Sequence, residues 1–377
     1  MKQYQFALLI ITIILIIYIL IRFIKKSDAV KRMSNKLLTG GLMNKPKCKN
    51  ANCINNEKDK IEGFMFSTEE SEYNSLVEPT LTTIYSINNE YRDRPLKDYV
   101  IKSSYNSAIT GKYVNEDMIK YILLRGCRLL DFEVLYIDNK PYVTYTTDNN
   151  LEVINTDNKI LLDNIFTSTI SQAFTQPTPN YEDPLFIHLR LKSKDNNIYN
   201  SVAKSIDATL KNRLYNKPIT NNTLLSDIMG KIVIIMDKTY DRKYKDYSVC
   251  DPKETICYKL PNYVHLESGS TMLYQNTYTD ILNQNYTIVN VTNECNHCTD
   301  VRNMRIVVPD KVHTNANNAN ASDMIKNHGC QMVTQRFYLK DENLAKYEKI
   351  FDDNKCGIVP LANMLDYLRK EYNKDIV

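Results

Sequence analysis

Apolar and polar residues alternate differently in three successive parts of the chain, and the first part is almost wholly apolar. Residues 6–20 read FALLIITIILIIYIL without a charge, and Phe23 and Ile24 continue the run after Arg22. A helix of about 19 residues at 1.5 Å per residue nearly crosses the roughly 30 Å hydrocarbon core of a bilayer. The pattern predicts a transmembrane anchor with its basic flank in residues 1–26.

A cleaved secretory signal is the alternative interpretation of this segment. Such signals carry an apolar region of roughly 7–15 residues before a small-residue cleavage site, whereas here a longer run is followed by RFIKKSDAVKR. Basic residues are more numerous after the run than before it, which by the positive-inside rule predicts a large domain on the cytoplasmic or virion-interior side. The same basic residues could also bind anionic lipid, or they could determine topology alone.

The second part, residues 27–92, is polar and has few apolar repeats. It includes KCKNANCINNEKDKIEG and STEESEYNSLVEPT. A segment of this composition has too little apolar surface to bury a core of its own. It predicts a stalk or linker between the anchor and a folded domain.

From Pro95 onward, short apolar strand patterns alternate with helical ones. Helical spacing occurs at 163–174, at 197–214 and in the closing ANMLDYLRKEY. Strands are predicted at 129–137, 141–146, 184–192, 231–238, 286–291, 304–310 and 330–339. This alternation over roughly 270 residues indicates an α/β fold with a mostly parallel sheet, and its size suits a (β/α)₈ barrel.

The charge of the chain bears on one class of partner, nucleic acid. The chain carries 48 Lys and Arg against 44 Asp and Glu, for a formal net charge of +4, without a dominant basic stretch in the domain. A nucleic-acid partner is therefore not expected.

Seven short segments, in order, resemble the catalytic barrel of eukaryotic-type phosphoinositide-specific phospholipase C. Those similar to its X half are PLKDYVIKSSYNSAITG, LLRGCRLLDFEV, PYVTY, PLFIHLRLK and MGKIVII, and those similar to its Y half are NHGCQMVTQRFYLKD and FDDNKCGIVPL. The resemblance implies a distorted TIM barrel, divided into an X-like half (93–240), a connector with the first Y-half elements (241–285), and a Y-like half with the C-terminal helix (286–377). Apart from the resemblance, abundant Asn, Lys, Ile and Tyr with only 9 Gly and no Trp indicate an AT-rich coding bias, which a large DNA virus or an AT-rich protist would fit.

The resemblance implies that both catalytic histidines of the family are missing here. Their positions fall on Tyr105 and Tyr145, and a phenol with an ordinary pKa near 10 cannot replace an imidazole near 6.5 at neutral pH. The alternative is that these tyrosines are misaligned neighbours of another catalytic group. If they are not, they serve as pocket-filling side chains or as groups that stack on a ligand.

The resemblance also implies that the family's calcium site is altered. Asn106 is kept, the acidic pair appears in reversed order as Asp131 and Glu133, and the last ligand position falls on Arg190. A guanidinium repels a cation, so we expect no calcium and no other cofactor. We expect Arg190 to lie between the two acids as a bidentate counter-charge, the alternative being that all three side chains are separately solvated.

Recognition of the inositol head group is predicted to be weakened. The phosphate-contacting lysine falls on Ile235 and the stacking tyrosine on Val308, which leaves Lys238 and, less firmly, Arg305 as substrate-binding candidates.

The sequence thus predicts a catalytically inactive, membrane-anchored, single-pass phospholipase C-like protein that acts as a structural or interaction module with an unidentified protein partner. One alternative is an active phosphoric diester hydrolase with a rewired, calcium-independent site. Another is a lipid head-group binder that does not cleave. Tyr105, Tyr145 and Arg190 argue against catalysis, whereas Asn106 and Lys238 mildly favour the binder.

Overall fold

The computed structural model of the chain describes residues 68–77, 82–248, 257–283, 303–311 and 317–374. The predicted transmembrane helix in 1–26, the part of the predicted stalk that precedes residue 68, and the predicted strand at 286–291 lie outside the described residues. Within the described ranges, no helix is both long enough and apolar enough to cross a membrane.

The described residues form twelve strands, which are numbered in chain order. They are β1 (Tyr99–Ile101), β2 (Ser103–Ser104), β3 (Leu129–Ile137), β4 (Lys140–Val143), β5 (Ile160–Leu161), β6 (Leu185–Lys192), β7 (Ile232–Asp237), β8 (Leu266–Ser268), β9 (Leu273–Thr277), β10 (Met304–Val308), β11 (Met332–Gln335) and β12 (Ile358–Pro360).

The same parts of the chain form nine α-helices. They are α1 (Glu69–Leu76), α2 (Asp117–Leu124), α3 (Leu162–Ala173), α4 (Asn197–Thr209), α5 (Tyr244–Tyr247), α6 (Tyr278–Leu282), α7 (Ala321–His328), α8 (Glu342–Asp353) and α9 (Leu361–Lys374).

Eight of the strands close into a parallel barrel in the order β2, β3, β6, β7, β8, β9, β10 and β11. Parallel pairing of β2 with both β3 and β11 completes the ring. β4 and β5 extend the wall beyond β3 in antiparallel fashion, and β1 pairs with β12 in a separate two-stranded sheet. The predicted (β/α)₈ barrel is therefore confirmed.

Alternation along β3 separates the barrel interior from the outer wall. Leu130 and Phe132 belong to the large apolar cluster shared with the surrounding helices. Leu129 belongs to a second apolar cluster, which the amino-terminal ends of the barrel strands share. Because successive side chains point to opposite faces of a strand, Asp131 and Glu133 share the inward face with Leu129. The interior is thus apolar at its base and charged at the mouth, where the strands have their carboxyl ends.

The strands predicted from the sequence agree best with those of the structure where the apolar runs are long. β3 coincides with the predicted 129–137, and β6 begins one residue after the predicted start at 184. β4 ends at Val143 rather than 146, because the backbone N–H of Thr146 turns inward and donates to Glu133 Oε1 at 2.7 Å. β8 and β9 have no predicted counterparts.

Part of the predicted stalk packs on the barrel. Leu76 of α1 is buried, Tyr85 forms a parallel bridge with Cys356, and the N–H of Ile87 donates to the Asp183 carboxylate at 3.0 Å. The described residues before 93 therefore belong to the folded domain.

Candidate functional site

Charged side chains meet at the mouth because β3 and β6 are neighbours in parallel register. Asp131 lies opposite His188, and Glu133 lies opposite Arg190. All four side chains are buried, and Asp131 and His188 are 0% exposed. Burial of charged groups in this way is tolerated only when they are paired and hydrogen-bonded.

Arg190 lies between the two acids. Its Nε lies 2.9 Å from Asp131 Oδ1 and its Nη2 lies 2.9 Å from Asp131 Oδ2, a bidentate arrangement. Nη1 donates to Glu133 Oε2 at 2.5 Å, and Nη2 also donates to Asn106 Oδ1 at 2.5 Å. The guanidinium thus contacts Asn106, Asp131 and Glu133 together.

The Asp131 carboxylate accepts hydrogen bonds from three directions. Besides Arg190, the backbone N–H of Asn106 donates to Oδ2 at 3.0 Å, and His188 Nδ1 lies 2.8 Å from Oδ1. Burial alone would raise the pKa of Asp131, but Arg190 and His188 hold it well below its usual range. Burial likewise opposes the charged form of Arg190, yet the carboxylates of Asp131 and Glu133 raise its pKa well above the ordinary value. The pair is therefore ionised.

Glu133 has a second cationic partner in Lys192. Lys192 Nζ lies 2.8 Å from Glu133 Oε1 and donates to the carbonyl oxygen of Thr146 at 2.9 Å. Two carboxylates, Asp131 and Glu133, thus face two cations, Arg190 and Lys192. The charge of this cluster balances without a metal.

Tyr105 packs against the cluster. The Arg190 guanidinium carbon lies 4.4 Å from the centroid of the Tyr105 ring, and that of Arg336 lies 5.8 Å away, distances at which a cation is attracted to the ring. Burial raises the pKa of Tyr105, outweighing the opposite effect of Arg190. The phenol therefore stays protonated at neutral pH.

Asn106 adopts a left-handed backbone conformation, with φ at 46°. Asparagine is among the non-glycine residues that populate this region most readily. Asn106 contacts Arg190 and Asp131. The turn that follows Asn106 is closed by Ser107, whose backbone N–H donates to the carbonyl oxygen of Asp131 at 2.8 Å. The residue thus fixes the loop after β2 against β3.

The space left at the mouth is small. A cavity of about 30 Å³ remains between the side chains. Pockets that hold drug-sized ligands measure roughly 300–1,000 Å³. The cavity is lined by Tyr105, Asn106, Glu133, Tyr145, Thr146, Thr147, Arg190, Lys192, Asp310, Lys311, Arg336 and Tyr338.

The two predicted substrate-binding residues do not line this cavity. Lys238 Nζ lies 3.4 Å from Glu267 Oε2. Arg305 donates to Asn276 Oδ1 at 2.5 Å, and its guanidinium carbon lies 5.4 Å from the centroid of the Tyr274 ring. Tyr105, Tyr145, Asn106, Glu133 and Arg190, in contrast, all line the cavity, and Asp131 lies directly behind Arg190.

Several residues at the site were not among the predicted ones. His188 bridges Asp131 and Ser268, with its Nε2 2.8 Å from Ser268 Oγ. The spacing of His188, Arg190 and Lys192 along one strand was a usable signal, because residues two apart share a face. For Arg336, which comes from the Y-like half, no such local pattern exists.

Comparisons with known proteins concern the family and the fold. A family model described as phosphatidylinositol-specific phospholipase C, X domain, matches residues 92–238. Crystal structures of PLC21 from L. pealei and S. officinalis match with TM-scores of 0.57 and 0.56, each at 16% sequence identity. They cover 79% and 78% of this chain, which itself spans only 42% and 40% of theirs.

A calcium-dependent phosphoinositol-specific phospholipase C from Pseudomonas sp matches with a TM-score of 0.44 at 10% identity, over 73% of this chain and 97% of that one. A search of curated protein sequences found no match.

The fold is thus a TIM barrel of the phosphatidylinositol phospholipase C type. The X-domain match runs from just before β1 to the end of β7 and includes the wall that bears Asp131, Glu133 and Arg190. The chain is thus similar to phosphatidylinositol-specific phospholipase C in its X domain and in its barrel fold.

Proposed function

We propose that the chain is a catalytically inactive phospholipase C-like protein that is anchored in a membrane and acts as a structural or interaction module. The barrel fold and the X-domain match support the phospholipase C-like part of the proposal. The side chains at the mouth support the loss of catalysis.

The observation that carries the proposal is the position of the Arg190 guanidinium. It contacts Asn106, Asp131 and Glu133, the residues to which the resemblance assigns calcium ligation. Calcium requires roughly six to eight oxygen ligands, but here those oxygens accept hydrogen bonds from a cation that repels a second one. The residues present do not fit calcium, and we derive no catalytic step through it.

The two tyrosines argue in the same direction. General acid–base catalysis at neutral pH needs a group that exchanges its proton there, and burial raises the pKa of Tyr105 instead. Tyr145 is 9% exposed and lines the same cavity. Both side chains fill the space in which a head group would have to bind.

The position of His188 is the observation that most favours the alternative of an active phosphodiesterase with a rewired site. It lies between a carboxylate and a serine hydroxyl, an arrangement of the kind that activates nucleophiles. However, Asp131, His188 and Ser268 are each 0% exposed, so a substrate cannot reach them. We therefore assign this network to the interior of the barrel rather than to catalysis.

The membrane part of the proposal depends on the apolar run in 6–20, with the domain on the cytoplasmic or virion-interior side. The interaction part of the proposal rests on the loss of catalysis. A folded domain that does not catalyse a reaction can still bind, and we propose a protein partner or anionic lipid as what it binds.

The test is an assay of the full chain in detergent micelles on phosphatidylinositol and its bisphosphate, with calcium or with chelator. We expect no turnover in either condition and no heat of tight binding when calcium is titrated calorimetrically. Calcium-dependent turnover would contradict the assignment of Arg190, and turnover in chelator would establish the rewired hydrolase.

Binding of inositol phosphates without turnover would instead identify a head-group binder. In that case Lys311→Ala, at the cavity, should weaken binding. Lys217→Ala is the matched control, because Lys217 is an exposed lysine that does not line the cavity.

A further inference from the structure

Helix α1 precedes the part of the chain that matches the X domain, yet it reaches the mouth. It starts with a capping box, in which the Thr68 hydroxyl accepts from the N–H of Ser71 and the Ser71 hydroxyl accepts from the N–H of Thr68. Such a box stabilises the first turn of a helix locally. The first turn of α1 is therefore held by contacts within the helix as well as by the barrel.

α1 is tied to the loop 105–114, which we call the mouth loop. Glu72 Oε1 accepts from the N–H of Lys112 at 3.0 Å, and Glu72 Oε2 accepts from the Thr110 hydroxyl at 3.3 Å. Gly111 makes this approach possible, since a Cβ there would lie 2.4 Å from Glu72 Oε1. The tip of the mouth loop is thus closed around one carboxylate.

The mouth loop transmits this contact to the site. Its two arms are joined by hydrogen bonds from Thr110 N to Tyr113 O at 2.9 Å and from Asn115 N to Ala108 O at 2.7 Å. The other end of the loop carries Tyr105 and Asn106, which contact Arg190. A carboxylate outside the barrel and the charge cluster inside it therefore hold opposite ends of one loop.

Two further contacts tie α1 to other loops of the mouth. Asn158 Nδ2 donates to Glu69 Oε2 at 3.3 Å, and Lys340 Nζ donates to the carbonyl of Ser75 at 3.1 Å. Leu76 of α1 is buried, and Tyr73 is partly buried against the same apolar cluster. An attachment made of a few polar contacts and two apolar side chains, Leu76 and the partly buried Tyr73, opens more readily than the barrel itself.

We propose that α1 is a strap that orders the mouth loop and that can be released while the barrel stays folded. A mechanical force on the chain before Thr68, or a partner that competes for the contacts of α1, then reduces the order of the loop that bears Tyr105 and Asn106. This inference does not depend on whether the protein is catalytically inactive, because it concerns only the order of the mouth loop.

Hydrogen exchange followed by mass spectrometry on the full chain in detergent micelles tests the strap. In Glu72→Ala we expect exchange in 105–114 and 68–77 to rise about 10- to 100-fold, as for lost hydrogen bonds to a charged group. Exchange in β3 and β6 should not change. Glu70→Ala is the matched control, because Glu70 is an exposed acid of the same helix, and it should leave exchange in 105–114 unchanged.

Three results would overturn the proposal. They are unchanged exchange of the mouth loop in Glu72→Ala, an equal rise in Glu70→Ala, or a uniform rise that includes β3 and β6. If Glu72→Ala does not fold, Glu72→Gln replaces it, since its amide oxygen can still accept from Lys112. In Glu72→Gln, the exchange rate of 105–114 should then be higher than in the unsubstituted chain, by less than tenfold. An exchange rate of 105–114 equal to that in Glu70→Gln would also refute the strap.

Discussion

Two buried arginines, one at the mouth and one nearer the base, show how differently the barrel uses the same side chain. Arg190 is 7% exposed and bonded to two carboxylates and an amide. Arg128 is 0% exposed and donates to three backbone carbonyls, those of Ala173 at 3.0 Å, Asp183 at 2.6 Å and Pro184 at 3.1 Å.

The difference appears in the direction in which the pKa of each arginine is shifted. Burial lowers the pKa of Arg128 to about 10, whereas the carboxylates around Arg190 raise its pKa above the ordinary value. Arg128 ties the start of β3 to the backbone at 173–184, and Arg190 balances charge. The comparison teaches that the partners of a buried arginine, rather than its burial, distinguish an arginine that balances buried carboxylates from one that holds backbone carbonyls.

The largest expected effect is that of Arg190→Met. The substitution leaves Asp131 and Glu133 buried with too few cations, and breaking a buried ion pair in this way typically costs about 3–5 kcal/mol of folding free energy. Urea unfolding at pH 7 measures it. The triple variant Asp131→Asn, Glu133→Gln and Arg190→Met should recover most of the loss. A cost below about 1 kcal/mol, as for a surface pair, would contradict the charge cluster.

The second effect concerns pH and Asp183, beside Arg128. Burial raises the pKa of Asp183 from 3.8 to about 6. Between these values the native state holds a proton that the unfolded chain has released, so stability falls as pH rises through this window. At about 1.4 kcal/mol per pKa unit, the loss reaches up to about 3 kcal/mol.

The control for this prediction is Asp183→Asn, whose amide oxygen can still accept from the N–H of Ile87. Urea midpoints at pH 4.5 and 7.5 should differ less in the variant than in the unsubstituted chain. Equal pH dependence of the two proteins would show that Asp183 titrates normally.

Arg128→Met should cost less than Arg190→Met, about 2 kcal/mol. Three buried carbonyls lose their donor, but the protein no longer buries a charge. Arg213→Met is the matched control, since Arg213 is exposed and its guanidinium carbon lies 5.2 Å from the Phe174 ring that Arg128 also contacts. Unfolding midpoints should separate the two variants, and equal losses would contradict the role of Arg128 in holding these backbone carbonyls.

The smallest effect is expected for Lys192→Met, at about 1 kcal/mol. Glu133 would keep Arg190 and the N–H of Thr146 as partners, so the remaining bonds satisfy the carboxylate. Lys194→Met, at an exposed lysine two residues further on, should be neutral in the same thermal unfolding measurement. A loss larger than that of Arg190→Met would mean that Lys192, rather than Arg190, is the main counter-charge.

The sequence predicted those strands whose apolar runs are long enough to be buried on both faces. β3 and β6 are of this kind, and they position the charge cluster. β8 and β9 were not predicted because they are three and five residues long and are separated by only four residues. In the β9 sequence LYQNT, moreover, polar residues outnumber apolar ones, so no strand-like alternation of apolar and polar residues was visible.

For the site, the resemblance led to the expectation that Arg190 lies between Asp131 and Glu133, but the contacts of Arg190 with Asn106 and Tyr105 were not predicted. Which oxygens Arg190 contacts depends on the register between β3 and β6, which no local pattern encodes. His188 falls on neither position that the resemblance assigns to a family histidine, so only the face that it shares with Arg190 pointed to it. Glu72 lies in a polar stretch without periodicity, where a helix of eight residues leaves almost no hydrophobic signal.

The closure of the ring through β2 has a consequence for synthesis on the ribosome. β2 needs β11 as its second neighbour, and the N–H of Ser103 donates to the hydroxyl of Tyr347, 244 residues later in the chain. A nascent chain therefore carries an open sheet edge until most of its length has been translated, and such edges attract other chains. Translation products that stop before Met332 should accumulate as aggregates rather than as half barrels.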